Sequence, residues 1–246
     1  MMNRIREAWF EFKGIRSDAM GVYLRQMPTR TVSAQKYTRK AVSGKNGTVK
    51  VSGGEYNDSQ VTLEMDVLDE KLLPAVLGWL TGSGELRFSD EPNVVYTDAT
   101  VDKDFQRKQV FPRTTAQRFS VKWTCDPFRK AYPDPEPIVI TESNTTIDNP
   151  GTADAMPRIT IVGSGDFSLS IGMKTMFFTN VESGIIVDSE LMDAFTADGT
   201  LLANDKINGE FIKIRPGMST VQWLTGGEDS SGSVESVTIE PRWRYL

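Results

Sequence analysis

Cys125-Asp126-Pro127-Phe128-Arg129-Lys130-Ala131-Tyr132-Pro133-Asp134-Pro135-Glu136-Pro137 is the stretch that decides how this chain divides, and it holds four of the 12 prolines. Proline fixes φ, donates no N–H and pushes its predecessor towards an extended conformation. This spacing is incompatible with a helix interior or a central strand and reads as a stiff linker. Charge changes sign across it. Residues 1–130 carry 21 Lys+Arg against 16 Asp+Glu, and residues 131–246 carry 7 against 17. A net of +5 thus faces a net of −10, and we expect two domains, 1–130 and 131–246, with different partners.

Outward from the linker, the composition excludes several classes. The 246 residues are 39% hydrophobic and 25% charged, ordinary for a globular chain with room for two cores. Met1 to Glu7 includes an acid and leads into no apolar run, so it does not read as a secretory signal. Leu72 to Leu80, the longest apolar-rich piece, falls far short of a membrane span. A single cysteine, Cys125, allows neither an internal disulfide nor a multi-cysteine zinc site, and suits folding in a reducing cytoplasm. The chain has no histidine, which removes Ser-His-Asp and Cys-His catalysis, imidazole metal sites and a histidine pH switch.

In the first half, Trp9-Phe10-Glu11-Phe12 opens as a strand, and Gly21 to Thr31 alternates loosely. Arg30, Lys36, Arg39, Lys40, Lys45 and Lys50 then crowd a stretch interrupted by Ser43-Gly44-Lys45-Asn46-Gly47. Asn-Gly is a strong hairpin signal because both residues tolerate positive φ. The basic run could bind nucleic acid, but no aromatic series interleaves with it, and a solvated hairpin is the commoner outcome. Val61, Leu63, Met65 and Val67 alternate as a half-buried strand. Asp69 then caps a predicted helix from Glu70 to Leu80, with Leu72, Leu73, Val76, Leu77 and Leu80 at helical spacing and Pro74 in its first turn. Leu86 to Phe88 and Val94 to Val101 read as strands about an Asp90-Glu91-Pro92-Asn93 turn. Asp98, Asp102 and Asp104 lack calcium-loop spacing and read as a solvated loop. Phe119, Val121 and Trp123 alternate into the linker.

The second half reads as short strands every 8–12 residues or so, the pattern of a β-sandwich. Turns are expected at Thr146 to Gly151, Gly163-Ser164-Gly165-Asp166, Asn208-Gly209 and Pro216-Gly217, with a polar loop at Glu228 to Ser233. Gly163-Ser164-Gly165 lacks the lysine and helix of a phosphate loop. Trp223, Trp243 and Tyr245 are candidates for a glycan-stacking platform, although Trp223 falls on the apolar side of its strand and a core role competes. Asp188 and Glu190, two apart, would share one face of a strand, where a glycosidase pair competes with two solvated carboxylates.

Taken together, these blocks resemble the distal tail proteins of long-tailed phages with non-contractile tails. The resemblance covers nearly the whole chain. It rests on Gly44 to Val49, Trp79 to Asp90, Tyr96 and Cys125 to Phe128, then on Asn149-Pro150-Gly151, Pro157 to Gly165 and Ile186-Val187-Asp188. Asn208 to Phe211, Pro216-Gly217, Trp223 and Pro241-Arg242 complete it. The resemblance implies a mainly β protein: a β-sandwich belt domain with one α-helix and a hairpin, then a galectin-like or carbohydrate-module-like β-sandwich. It implies a hexameric hub ring, single or stacked, joining the major tail protein tube to the tail-tip protein, with receptor-binding or side-fibre proteins as further partners. It places the protein at the distal end of the virion tail, assembled in the host cytoplasm, with no cofactor, metal, membrane or specific nucleic-acid partner and no enzymatic activity. Unlike relatives that grip receptor-binding proteins with a long inserted arm, this chain has only the short gap from Ala194 to Ile207 in its outer domain.

Ring closure needs two different faces on each subunit. Lys45, Asn46 and Lys50 on the basic hairpin are the expected residues of one such face. Because phosphate contacts add salt-dependent affinity, a hole that passes DNA should be neutral or acidic. Three alternatives stand beside the hub: a carbohydrate-binding tail module holding host cell-wall glycan through Trp223, Trp243 or Tyr245; a glycan-degrading enzyme using Asp188 and Glu190; and a tail-tube subunit.

Overall fold

The computed structural model describes residues 8–102, 106–109, 116–225 and 232–246. The predicted features at Met1 to Glu7, at Asp104 and at Glu228 to Ser231 lie outside the described residues. The chain divides into two compact units, Met1–Tyr132 with Leu246, and Pro133–Tyr245.

The first unit contains β1 (Phe10–Phe12), β2 (Ile15–Arg16), β3 (Val22–Leu24), β4 (Thr29–Thr31), β5 (Thr38–Ala41), β6 (Thr48–Val51) and β7 (Ser59–Val67). A helix α1 (Leu73–Trp79) follows, then β8 (Ser83–Phe88), β9 (Val94–Val101), β10 (Gln106–Gln109), β11 (Gln117–Cys125) and β12 (Arg129–Ala131). One curled sheet runs β2-β1-β8-β9-β11-β7-β3, with β4 also on β7. Strands β7 and β11 alternate strictly and pair over nine residues, Gln117 opposite Val67 and Cys125 opposite Ser59. Their apolar positions, Val61, Leu63, Met65, Val67, Phe119, Val121 and Trp123, are fully buried. Alternation puts them all on one face, as the period-two reading requires.

Aromatic rings fill the space inside this sheet. Trp79 stacks on Phe10 at 5.3 Å between centroids, and Trp123 meets Phe10 and Phe12 edge-on at 5.8 and 6.1 Å. Indole Nε1–H of Trp79 donates to the Phe12 carbonyl at 2.9 Å, so burying the ring leaves no lost hydrogen bond there. The helix is shorter than expected. Asp69 does act as a cap, accepting from the Lys71 N–H, but Glu70–Leu72 forms a 3-10 turn and α1 keeps only seven residues. Three residues per turn instead of 3.6 rotates Leu72 out of the apolar stripe. It is exposed, whereas Leu73, Val76 and Leu80 are buried. The linker is shorter too: Arg129–Ala131 pairs with β9 and belongs to the first unit, so the proline run proper starts at Pro133.

The second unit contains β13 (Ile138–Ile140), β14 (Thr145–Asn149), β15 (Arg158–Ile171), β16 (Lys174–Val181), β17 (Ile185–Asp188) and β18 (Asp193–Thr196). It continues with β19 (Ile207–Gly209), β20 (Gly217–Thr225), β21 (Ser233–Glu240) and β22 (Arg244–Tyr245). No α-helix occurs here among the described residues. Gly163-Ser164-Gly165, expected as a turn, instead lies inside the 14-residue β15. The first half of β15 pairs with β17 and β21, and its second half with β16 and β20. Register shifts between Val162 and Gly163 and between Gly165 and Phe167 mark the bend where the strand passes from one layer to the other. Bulges and glycines are how a strand turns such a corner. Ile159, Ile161, Leu169 and Ile171 all face the core from this one strand. Asn208-Gly209, expected as a hairpin turn, is also strand, paired with β16, and Gly209 (φ +119) lets the Thr175 carbonyl approach closely.

A Cβ on Gly163 would stand 2.3 Å from the Ser233 backbone oxygen, a group that cannot swing aside. Gly163→Ala should therefore lower stability by about 1–3 kcal/mol in urea denaturation, as overpacking does. Unchanged stability would show that the bend does not need glycine.

Candidate functional site

The basic hairpin of the sequence is an arm. Strands β5 and β6 form a two-stranded sheet of their own, Arg39 opposite Lys50 and Lys40 opposite Val49, outside the large sheets. The loop between them closes with the Lys45 N–H donating to the Val42 carbonyl, and Gly44 (φ +80) and Gly47 (φ +85) take the left-handed backbone the turn requires. Almost every side chain of the arm is exposed, including Tyr37, Val42 and Val51. Lys36, Arg39, Lys40, Lys45 and Lys50 give it five cations with no acid among residues 36–50.

At its base the arm is held firmly. Gln35 bridges Tyr56, the Lys36 N–H donates to the Glu55 carbonyl, and the Asn57 N–H donates to the Ala34 carbonyl. Ser33 Oγ donates to the Pro127 carbonyl and Ser59 Oγ to the Asp126 carbonyl, each at 3.0 Å. The Tyr56 ring stands edge-on to Phe128 at 5.1 Å. Lys45 and Asn46 thus lie in the loop and Lys50 on β6. Sequence reasoning missed Tyr37, whose ring carries Lys50 Nζ at 4.1 Å and the Arg39 guanidinium at 5.9 Å. Its alternation with Arg39 was the available signal. A lone two-stranded sheet is marginal in water, and these contacts at its base are what hold it.

The other candidate residues are tied into the structure. Asp188 ends β17 and Glu190 lies in the following turn, so they are not on one strand face. Arg242 joins them: its guanidinium donates to both Asp188 oxygens at 2.8 and 2.9 Å and to Glu190 at 3.2 Å. The N–H groups of Glu190 and Leu191 also donate to Asp188. Burial pushes the Asp188 carboxyl up, but Arg242 and these N–H groups outweigh it and hold it below the usual range. A general acid needs the opposite shift. Trp243 is 6% exposed, so its ring offers no stacking face to a sugar. Trp223 and Tyr245 are half-buried, and the Trp223 N–H donates to Ser143 Oγ. Asp102 accepts from Thr124 Oγ1 and pairs with Lys122. No cluster of metal-ligating side chains occurs among the described residues. Burial drives the Cys125 thiol up to about 12, which makes it inert.

The first unit also has a cavity of about 130 Å³ lined by Arg30, Ser33, Ser59, Glu91, Tyr96 and Arg129 among others. Its charges are matched: Arg30 grips Asp90 with two bonds of 2.8 and 2.7 Å, and Arg129 bonds Glu91 at 2.9 Å. In the second unit, Leu191, Met192, Leu201 and Leu202 stand exposed on the loops flanking β18. No helix of the described residues is long and apolar enough to cross a membrane.

No protein-family model matches the chain, and neither does any curated protein. A solved structure does. The SPP1 Dit protein, a paradigm of the hub adsorption apparatus in phages infecting Gram-positive bacteria, superposes with a TM-score of 0.74. The alignment covers 97% of this chain and 99% of that one, at 13% identity. The chain has the fold of a phage distal tail protein. The mainly β architecture expected from the sequence, with one α-helix among the described residues, is consistent with that fold.

Because the Asp188 pKa is depressed on folding, its contribution is present above the unfolded value near 3.9 and is lost as pH falls through the folded value. Arg242→Ala should cost about 2–4 kcal/mol at pH 7 by leaving a buried carboxylate unpaired, and less than half of that at pH 3.5, where Asp188 can protonate. Urea denaturation at the two pH values checks this. An equal loss at both would assign the effect to packing.

Proposed function

We propose that this protein is the structural hub of a long-tailed phage's tail. In this reading the first unit is a ring-forming belt, and the second is a galectin-like sandwich. The ring joins the tail tube to the tail-tip protein and the adsorption apparatus. The single observation that carries the reading is end-to-end agreement with a hub adsorption protein over both units. Two features support it. A hub needs surfaces rather than a reaction centre, and the titratable clusters described above are closed ion pairs. A ring needs each subunit to offer something to its neighbour, and the exposed arm is such a part. Its apolar side chains supply contact area, and its cations steer and orient the approach.

Light scattering on the purified protein tests this. The expected mass is six times the 27.4 kDa chain, or twelve times for two stacked rings. Lys45→Glu with Lys50→Glu should shift the population towards single chains while the circular dichroism spectrum of the folded protein is kept, since both side chains are exposed. A protein that remains a single chain at every concentration tested would overturn the hub assignment.

A further inference from the structure

Three dipeptides of this chain have a side chain that their own backbone can attack: Asn46-Gly47, Asp198-Gly199 and Asn208-Gly209. In each, the glycine nitrogen can close a five-membered succinimide ring on Cγ of the residue before it. Glycine has no Cβ to crowd that approach. The attack needs a nitrogen released from hydrogen bonding and an uncharged amide or acid as its target. It also needs a backbone that can rotate until the two atoms meet.

The fold closes two of the three. At Asp198-Gly199 the Gly199 N–H donates to the Thr196 carbonyl at 2.8 Å, so the nitrogen is engaged. Bonds from Thr196 Oγ1, Thr200 Oγ1 and the Thr200 N–H hold the Asp198 carboxyl down to about 2. It is therefore ionised at neutral pH, and a carboxylate is a poor target for a nucleophile. Asn208 and Gly209 lie on β19, opposite Phe177 and Met176 of β16. Extended, paired backbone directs the Gly209 nitrogen away from the Asn208 side chain. Bringing them together means peeling β19 off the sheet.

Asn46-Gly47 has neither restraint. It lies in the arm's loop, between the paired residues 38–41 and 48–51. Both residues are exposed. Neither the Asn46 side chain nor the Gly47 N–H has a hydrogen-bond partner among the described residues. The five cations of residues 36–50 favour loss of the Gly47 amide proton, because nearby positive charge stabilises an anion.

We infer that Asn46 is a self-modification site, at which the chain converts its own amide to an acid. A bond forms between the Gly47 nitrogen and Asn46 Cγ, and the Cγ–Nδ2 bond breaks. Nδ2 leaves as ammonia, with the proton that Gly47 gives up. Water then opens the ring at either carbonyl and returns a proton to the Gly47 nitrogen. The product at position 46 is aspartate or isoaspartate. Both put one acid into an arm stretch that had none, and isoaspartate also lengthens the loop backbone by a methylene. The inference does not depend on the hub reading.

Peptide mapping by mass spectrometry tests it on the purified full chain held at pH 8 and 37 °C. Amide loss at Asn46 should run about tenfold or more ahead of loss at Asn208, the ratio set by opening two ladder hydrogen bonds of β19. In the urea-unfolded chain the two should react within about threefold of each other, since local sequence alone then decides. Asn46→Gln cannot close a five-membered ring. It should remove the acidic species that ageing produces in ion-exchange chromatography. An Asn46 that survives in the native protein while the unfolded chain loses its amides overturns the site. So does an Asn208 that reacts as fast as Asn46 in the native protein.

Discussion

Two serine hydroxyls fix the point from which the arm departs. Ser33 and Ser59, at the two ends of the arm's excursion, donate to the consecutive carbonyls of Asp126 and Pro127. Pro127 has no N–H, so the ladder of β11 cannot continue through it, and the chain turns. The turn leaves those carbonyls facing the arm's base. Phe128 then packs on Tyr56 from the same side. Each neutral hydrogen bond adds only about 0.5–1.5 kcal/mol, but together with the ring contact they root a hairpin that has no core of its own. Without that root, the cations and apolar groups of β5 and β6 would lack a defined direction.

The distribution of charge follows a similar logic. Arginine binds carboxylates in pairs at Arg30–Asp90, Arg129–Glu91, Arg118–Asp66 and Arg242–Asp188. Planar guanidinium forks fix the geometry of the Arg30–Asp90 and Arg242–Asp188 pairs and help to hold both carboxyls below their usual range. Lysine, a compact and strongly hydrated charge, dominates the arm instead, where it stays exposed.

The agreement with SPP1 Dit at 13% identity is physically reasonable. A sandwich layer requires apolar residues at every second position, and Ile, Val, Leu, Met and Phe exchange there at low cost. Backbone constraints are less negotiable. The bend of β15 needs a residue without a Cβ at Gly163, and the turn after β14 needs the same at Gly151, where a Cβ would lie 2.4 Å from the Arg244 carbonyl oxygen. Such positions are few, so sequence comparison finds little to hold while the folded chains superpose.

The sequence alone determined the β character, the buried faces of β7 and β11, the helical segment after β7 with Asp69 capping its opening 3-10 turn, and the hairpin around Asn46-Gly47. Each is a local matter: period-two alternation, a capping side chain, or a dipeptide that tolerates positive φ. Tertiary structure decided the rest. Whether Gly163-Ser164-Gly165 turned or bent depended on the strands pairing on either side of it. Asp188 and Glu190 became an ion-pair clasp because Arg242, more than fifty residues away in sequence, arrives between them. Trp243 was withdrawn into the core, and Leu72 was turned outwards by a change of helical pitch. Long-range contacts set these outcomes, and nothing in the spacing of nearby residues encodes which distant group will arrive.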